Sequence, residues 1–387
     1  MTEDSKVGLR DLLLARARDS IEVAHRWVSS SSLRDLLSLA GRLVDPSFGP
    51  QLPPVQDTYI SERVGSIYRH SAAELSPVLG KQRKILDFVL NIEKEAAKKL
   101  GFRGGKERFL AEQVLFEPET SAEIRRLCSK LGLITPNFPP RLRYAKTIIL
   151  GAAYRTPLLR AQYAAHLARN GIKLGDLYFL GSPRPLVTDK AKPERPLTES
   201  YAFGAVDEFD LMAAAAESAM SVMAQEVKFL CGCTSDTRLC PAWQYRDQDG
   251  SVSVVPPAFT HDRVRTLLAI GSTNPISCGA VLSASTSRPP ARANTADTFE
   301  LLARSADFQL GERVLVVTTQ IFVPFQGFDA QRCLGLVTGA EVDTVGFGED
   351  WYGQLWTTQQ LLQETFSAIR SARRLIEAAN EILINRR

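Results

Sequence analysis

The chain has 387 residues and a formal net charge of +4, with 44% hydrophobic and 23% charged residues. That length predicts two folded units, and the composition is that of an ordinary soluble globular protein. No window nears the roughly 18 unbroken apolar residues of a membrane helix, and the first forty residues lack a signal peptide's apolar block, so a cytosolic protein is expected.

The charge is unevenly placed. Residues 1–143 hold 23 Lys+Arg against 18 Asp+Glu, and the remainder holds 24 against 25. The signs alternate along helical faces, which describes a solvated surface rather than a nucleic-acid stripe. Six cysteines are too few for a disulfide framework. Cys231, Cys233 and Cys240 form a C-x-C-x6-C cluster with only His261 near in sequence. No CxxC pair completes a tetrahedral set, so reduced thiols are expected and no metal.

In chain order, helical periodicity runs from Leu9 to Val44 with a break at Ser29–Ser32, where Ser32 suits an N-cap. Asp45–Asp57 is a proline-rich loop. Helices follow at Ser61–His70, Pro77–Leu100 and Lys106–Val114, with a glycine turn at 101–105. Another is expected at Thr120–Leu131, where Thr120-Ser121-Ala122-Glu123 resembles a capping box. The segment Thr135–Pro140 divides this all-helical N-terminal region, residues 1–140, from an α/β domain, residues 141–387.

Beyond that boundary strands alternate with helices. Strands are expected at Thr147–Leu150, Asp176–Leu180, Arg265–Ile270, Ala280–Ser283, Val314–Val317 and Val342–Val345, the apolar runs suiting burial on both faces. Helices are expected at Pro157–Arg169, stopped by Asn170-Gly171, and at Val206–Lys228. A third runs from behind Asn294 to Gly311, and a long one from Gln354 to Ile384. An insertion at residues 229–262 carries the cysteine cluster and an Asp249-Gly250 hairpin signal before Ser251–Val255. The pattern predicts a Rossmann-like parallel sheet with helices on both faces.

Parallel sheets bind ligands beyond the carboxyl ends of their strands. After the first strand come Gly151, Arg155 and Arg160, where a glycine admits a ligand to the backbone. Arginines beside a helix N-terminus favour a phosphate or carboxylate. Glu208 opens a helix after the second strand, as do the weaker candidates Asp207 and Asp210, whose acids also suit the helix dipole. Asn294 and Thr295 follow the fourth strand, with capping as their alternative role. Thr318, Thr319, Gln320 and Gln326 follow the fifth. No histidine is expected at this rim, and no Ser-His-Asp order, HExxH or GxGxxG is present.

On these residues, positions 145–346 resemble the DUF218 family, the group around the envelope proteins ElyC, SanA and YdcF. The shared order is a strand ending in Leu150-Gly151, an arginine and a helix closing at Asn170-Gly171. Then come a strand, the acidic residue Glu208 with Met212 beyond, the Asn294-Thr295 loop, and a strand running into Val317-Thr318-Thr319. The resemblance implies a Rossmann-like fold with a ligand cleft at the strand carboxyl ends and S-adenosylmethionine as a suggested ligand. Family members usually follow this last motif with an aromatic, a histidine and, three residues on, an arginine. This chain has Ile321, Phe322 and Phe325 there, leaving Gln320 or Gln326 to replace that chemistry.

The expected function is binding of an anionic or nucleotide-like small molecule, with the reaction unassigned. Glu208 and Gln320 are the catalytic candidates. Gly151, Arg155, Arg160, Asn294, Thr295, Thr318, Thr319 and Gln326 are the ligand-binding ones. The alternative is a vestigial cleft in a non-catalytic protein whose N-terminal helices dock a protein partner. Membrane and nucleic-acid partners are not expected.

Overall fold

Short runs of Val, Ile and Leu separated by amphipathic helices build the sheet that carries the candidate site. The computed structural model describes residues 3–43, 77–101, 114–152, 154–186, 195–230, 245–246, 252–253, 261–271, 277–287 and 293–385. The expected helix at Ser61–His70, the Asp45–Asp57 loop, the Asp249-Gly250 turn and Cys231, Cys233 and Cys240 lie outside these residues, as does all but the last residue of Lys106–Val114. The chain divides into two units, residues 1–13 with 136–354 and residues 14–135 with 355–387. The closing helix, Thr358–Asn385, therefore counts with the helical unit, not with the α/β unit in which the sequence pattern put it.

The α/β unit holds ten strands among the described residues. They are β1 (Lys146–Leu150), β2 (Asp176–Gly181), β3 (Val222–Ala224), β4 (Lys228–Phe229), β5 (Tyr245–Arg246), β6 (Val252–Ser253), β7 (Arg263–Ala269), β8 (Ser277–Ser283), β9 (Arg313–Thr319) and β10 (Glu341–Phe347). Eight form one sheet, ordered β10-β9-β1-β2-β8-β7-β3, with β4 beside β7. The pairs β10–β9, β9–β1, β1–β2 and β2–β8 are parallel. Among these five, the first strand is central, the second and third lie on one side, and the fourth and fifth on the other. This is the doubly wound order, with its topological switch point between β1 and β9.

The helices lie on both faces, as the buried side chains demand. Ile149, Phe179, Val281, Leu315 and Val317 pack with Ala161, Tyr163 and Leu167 of helix Thr156–Arg169 and with Phe209 and Met212 of helix Glu208–Ala219. Their chain neighbours Ile148, Leu150, Leu180, Leu282, Val314 and Val316 form a second cluster with Phe299 and Leu302 of helix Thr295–Ser305. Successive strand residues point to opposite faces, so one apolar run serves both cores. Each buried Val, Leu, Ile, Phe or Met among them contributes about 1.5–3 kcal/mol by leaving water.

Two expectations about direction and extent are corrected. β7 runs antiparallel to β8, not parallel to the rest. Only residues 270–276 join them, and a parallel crossover needs about a dozen residues or more. The expected helix Val206–Lys228 ends at Ala219, with Met220 extended at φ −119°, ψ 153°. Val222–Ala224 then pairs with β7, so strand pairing overrides the helical tendency of the sequence. On either side of the undescribed Asp249-Gly250 segment, β5 and β6 pair antiparallel, Tyr245 with Ser253 and Arg246 with Val252.

Helix ends differ from expectation where caps decide them. Ser30, not Ser32, accepts the Leu33 amide at 3.3 Å and begins helix Ser31–Leu43. Helix Pro118–Lys130 opens with proline at its first turn and no side-chain cap, so the Thr120 capping box is not formed. Helix Thr295–Ser305 stops short of Gly311, which sits at φ 71° in a turn where the Glu312 amide donates to Gln309 O at 3.1 Å.

Within the helical unit, helices Pro77–Leu100 and Thr358–Asn385 share a buried ion-pair group. Arg373 bonds Glu93 and, at 2.6 Å, Glu377, while Arg370 lies 3.6 Å from Glu93. Trp27 Nε1 donates to Leu131 O at 3.0 Å, and Arg125 to Trp356 O at 2.9 Å. Among the described residues no helix is long and apolar enough to cross a membrane, and no group of three or more His, Cys, Asp or Glu is placed to hold a metal.

Candidate functional site

The carboxyl ends of β1, β2, β8, β9 and β10 form one rim. At its centre Gly151 follows β1. A Cβ there would overlap both Glu208 Oε1 and the Leu180 carbonyl oxygen, and would lie 3.1 Å from Glu208 Cδ. Only glycine leaves room for the carboxylate. Glu208 is the first residue of its helix; Ser182, just past β2, donates its hydroxyl to Glu208 Oε2. The Glu208 amide donates to Arg184 O at 3.0 Å, and Gly181 packs its Cα against the same helix start. Gly151 and Glu208, 57 positions apart in the chain, thus meet at the rim as expected.

Arg160 is 1% exposed and turns inward. Nη1 donates to the carbonyls of Leu150 at 2.8 Å and Gly151 at 2.6 Å, and Nε donates to Thr319 Oγ1 at 3.2 Å. Its guanidinium stands 5.7 Å from the Phe322 ring. This side chain, expected to hold a ligand anion, instead ties the end of β1 to the end of β9 across the switch point. Its charge still lies directly beneath the rim.

Arg155 is partly exposed and rests on the turn after β10. It donates to Tyr352 O at 2.9 Å, with its guanidinium 4.9 Å from that ring. The preceding Tyr154 has φ 57°, a left-handed conformation unusual for a bulky residue. Its carbonyl accepts a bond from the Tyr201 hydroxyl, whose ionisation burial pushes far upward. The loop after β1 is therefore clamped from three sides.

Asn294, Thr318 and Gln326 turn their side chains to protein partners. Asn294 caps helix Thr295–Ser305 through the amides of Ala296 at 2.8 Å and Asp297 at 3.4 Å. Asp297 answers by accepting the Asn294 amide at 2.7 Å, a full capping box. The Thr295 carbonyl accepts from Thr298 at 2.9 Å. Thr318 donates its hydroxyl to Gln326. Gln320 is fully buried, its backbone amide 2.5 Å from where a Cβ on Gly346 of β10 would stand.

The rim also holds residues that strand order alone did not suggest. Because β7 runs antiparallel, its start pairs with the end of β8, Arg263 opposite Ser283, and brings His261, Asp262 and Arg263 to this rim. His261 is buried against the Phe229 ring at 5.1 Å, so the rim does carry an imidazole. Asp262 accepts from the Ser285 amide at 2.7 Å and hydroxyl at 2.8 Å. Arg263 donates to Asp207 at 2.5 Å and to Ser283 at 3.2 Å. Burial raises the Asp207 carboxyl above the usual aspartate range, opposed by Arg263. The seven-residue connection after β7 was the available signal for this reversal.

The site can offer a carboxylate and hydroxyls on the β2–β8–β7 side and a partly exposed guanidinium on the β1–β10 side. No family model matches the chain. Uncharacterized proteins of Mycobacterium bovis and of two Mycobacterium tuberculosis strains are each 28% identical to it over 385 residues, covering 95% of this chain and 91% of the relative. No solved structure matches it at a significant level.

Proposed function

We propose that this is a DUF218-like protein of the cytoplasm that binds an anionic or nucleotide-like small molecule at the carboxyl edge of its parallel sheet. One observation carries the reading: the Glu208 carboxylate is seated against the bare Cα of Gly151 and bonded by Ser182 at the carboxyl ends of β1 and β2. A carboxylate so placed accepts a hydroxyl, as of a ribose, or serves as a base. Arg155 and the positive end of helix Thr156–Arg169 favour the anionic part. Gln320 is the second group assigned to chemistry in this reading. S-adenosylmethionine and adenosine monophosphate are the probes of choice.

Isothermal titration with both probes tests it. Glu208→Gln and Arg155→Ala are each expected to weaken binding at least about tenfold while the melting temperature of the ligand-free protein barely moves. Absence of binding tighter than about 1 mM, with no small molecule found by native mass spectrometry of the purified protein, overturns the reading. A second reading, a non-catalytic protein docking a partner through its helical unit, draws support from the rim residues Arg160, Asn294, Thr318 and Gln326, whose polar atoms bond protein groups.

A further inference from the structure

Beside Glu208 lies an ion pair that stability alone does not explain. Asp207, the residue before it, uses both carboxylate oxygens. Oδ1 accepts the Asp210 amide at 3.1 Å and caps helix Glu208–Ala219, while Oδ2 accepts from Arg263 at 2.5 Å. Arg263 comes from the antiparallel β7. It also donates to Ser283 of β8 at 3.2 Å, and its guanidinium lies 4.6 Å from the Phe209 ring. The side chains of Arg263 and Asp207 are 8% and 10% exposed. A pair this dry gains little net stability, since desolvating two charges offsets most of their attraction, and an apolar pair of similar volume often does as well. What the pair does supply is geometry. A charged nitrogen held by β7 and shared between Asp207 and Ser283 fixes the residue that sets where the helix begins, and with it the direction of the next side chain.

We propose that Arg263 is the positioning residue of the Glu208 carboxylate, acting through Asp207 to hold it against Gly151 and Ser182. This rests on the reading of Glu208 as the ligand-binding acid. It adds that the antiparallel strand is part of the site, and that Asp207 and Arg263 work as one unit without touching the ligand.

The test uses full-length protein labelled with carboxyl-13C glutamate, the Glu208 resonance being assigned by its loss in Glu208→Gln. The double variant Asp207→Asn/Arg263→Met keeps an N-cap and removes both charges. It is expected to retain wild-type circular dichroism while its Glu208 resonance moves to the position of a solvated glutamate. Arg263→Lys, which keeps the charge, is expected to restore most of the shift. S-adenosylmethionine affinity should fall with the resonance and recover with it. A Glu208 resonance unmoved in the folded double variant, or moved equally in Arg263→Lys, overturns the proposal. If the resonance behaves as expected but neither wild type nor variants bind the probe, positioning stands and the ligand reading fails.

Discussion

Glu208 occupies the space that any side chain on Gly151 would need. The two residues come from the end of β1 and the start of a helix reached only after β2, so their contact records the parallel pairing of β1 with β2. It also makes Gly151 intolerant of a side chain.

Gly151→Ala is expected to destabilise the protein by about 1–3 kcal/mol through overpacking, because one of the overlapped atoms is the immovable Leu180 carbonyl oxygen. Urea denaturation measures this. A midpoint within error of wild type would show that the carboxylate is not seated there.

Arg160→Met is expected to cost about 2–4 kcal/mol, since it leaves the carbonyls of Leu150 and Gly151 without this buried donor. Arg160→Lys should recover only part of the loss, because a single ammonium does not span β1 and Thr319 together. Full recovery with lysine would refute the role as a tie across the switch point.

Tyr154 at φ 57° inverts the usual ranking of small residues. Tyr154→Gly is expected to be more stable than Tyr154→Ala by about 1 kcal/mol, since alanine retains the left-handed strain and glycine does not. Paired urea midpoints decide it, and alanine at or above glycine would mean that the loop relaxes to an ordinary conformation.

In the helical unit, burial pushes the Glu377 carboxyl above the glutamate range; Arg373 pulls the other way, and the charge of Glu93 adds to the rise. A carboxyl raised in the folded state binds more protons there than in the unfolded chain. Its contribution is full below the unfolded value of about 4.3 and is lost as pH rises through the folded value. The unfolding free energy of wild type minus that of Glu377→Gln should therefore fall as pH rises above about 4. A difference that grows with pH would reverse the sign of this assignment.

The fold class was legible because its signals are local. Val314–Val317 is apolar at every position, and in the sheet those four residues supply both core clusters. The positions of Gly151, Glu208 and Asn294 beyond strand carboxyl ends, and of Thr319 at one, followed from the same reading once parallel pairing was assumed. Their partners did not. Whether Arg160 faces a ligand or the carbonyls of Leu150 and Gly151 depends on a side-chain path through the core, and no spacing in the chain encodes that path.

By itself the order of residues determined that apolar strands alternate with amphipathic helices, because burial imposes its period on any segment that enters a core. Only the tertiary structure decided that β7 reverses, that Ala219 ends its helix, and that His261, Asp262 and Arg263 join the rim. Direction and pairing are set by how distant strands compete for backbone partners, and that competition is resolved only when the whole sheet is assembled.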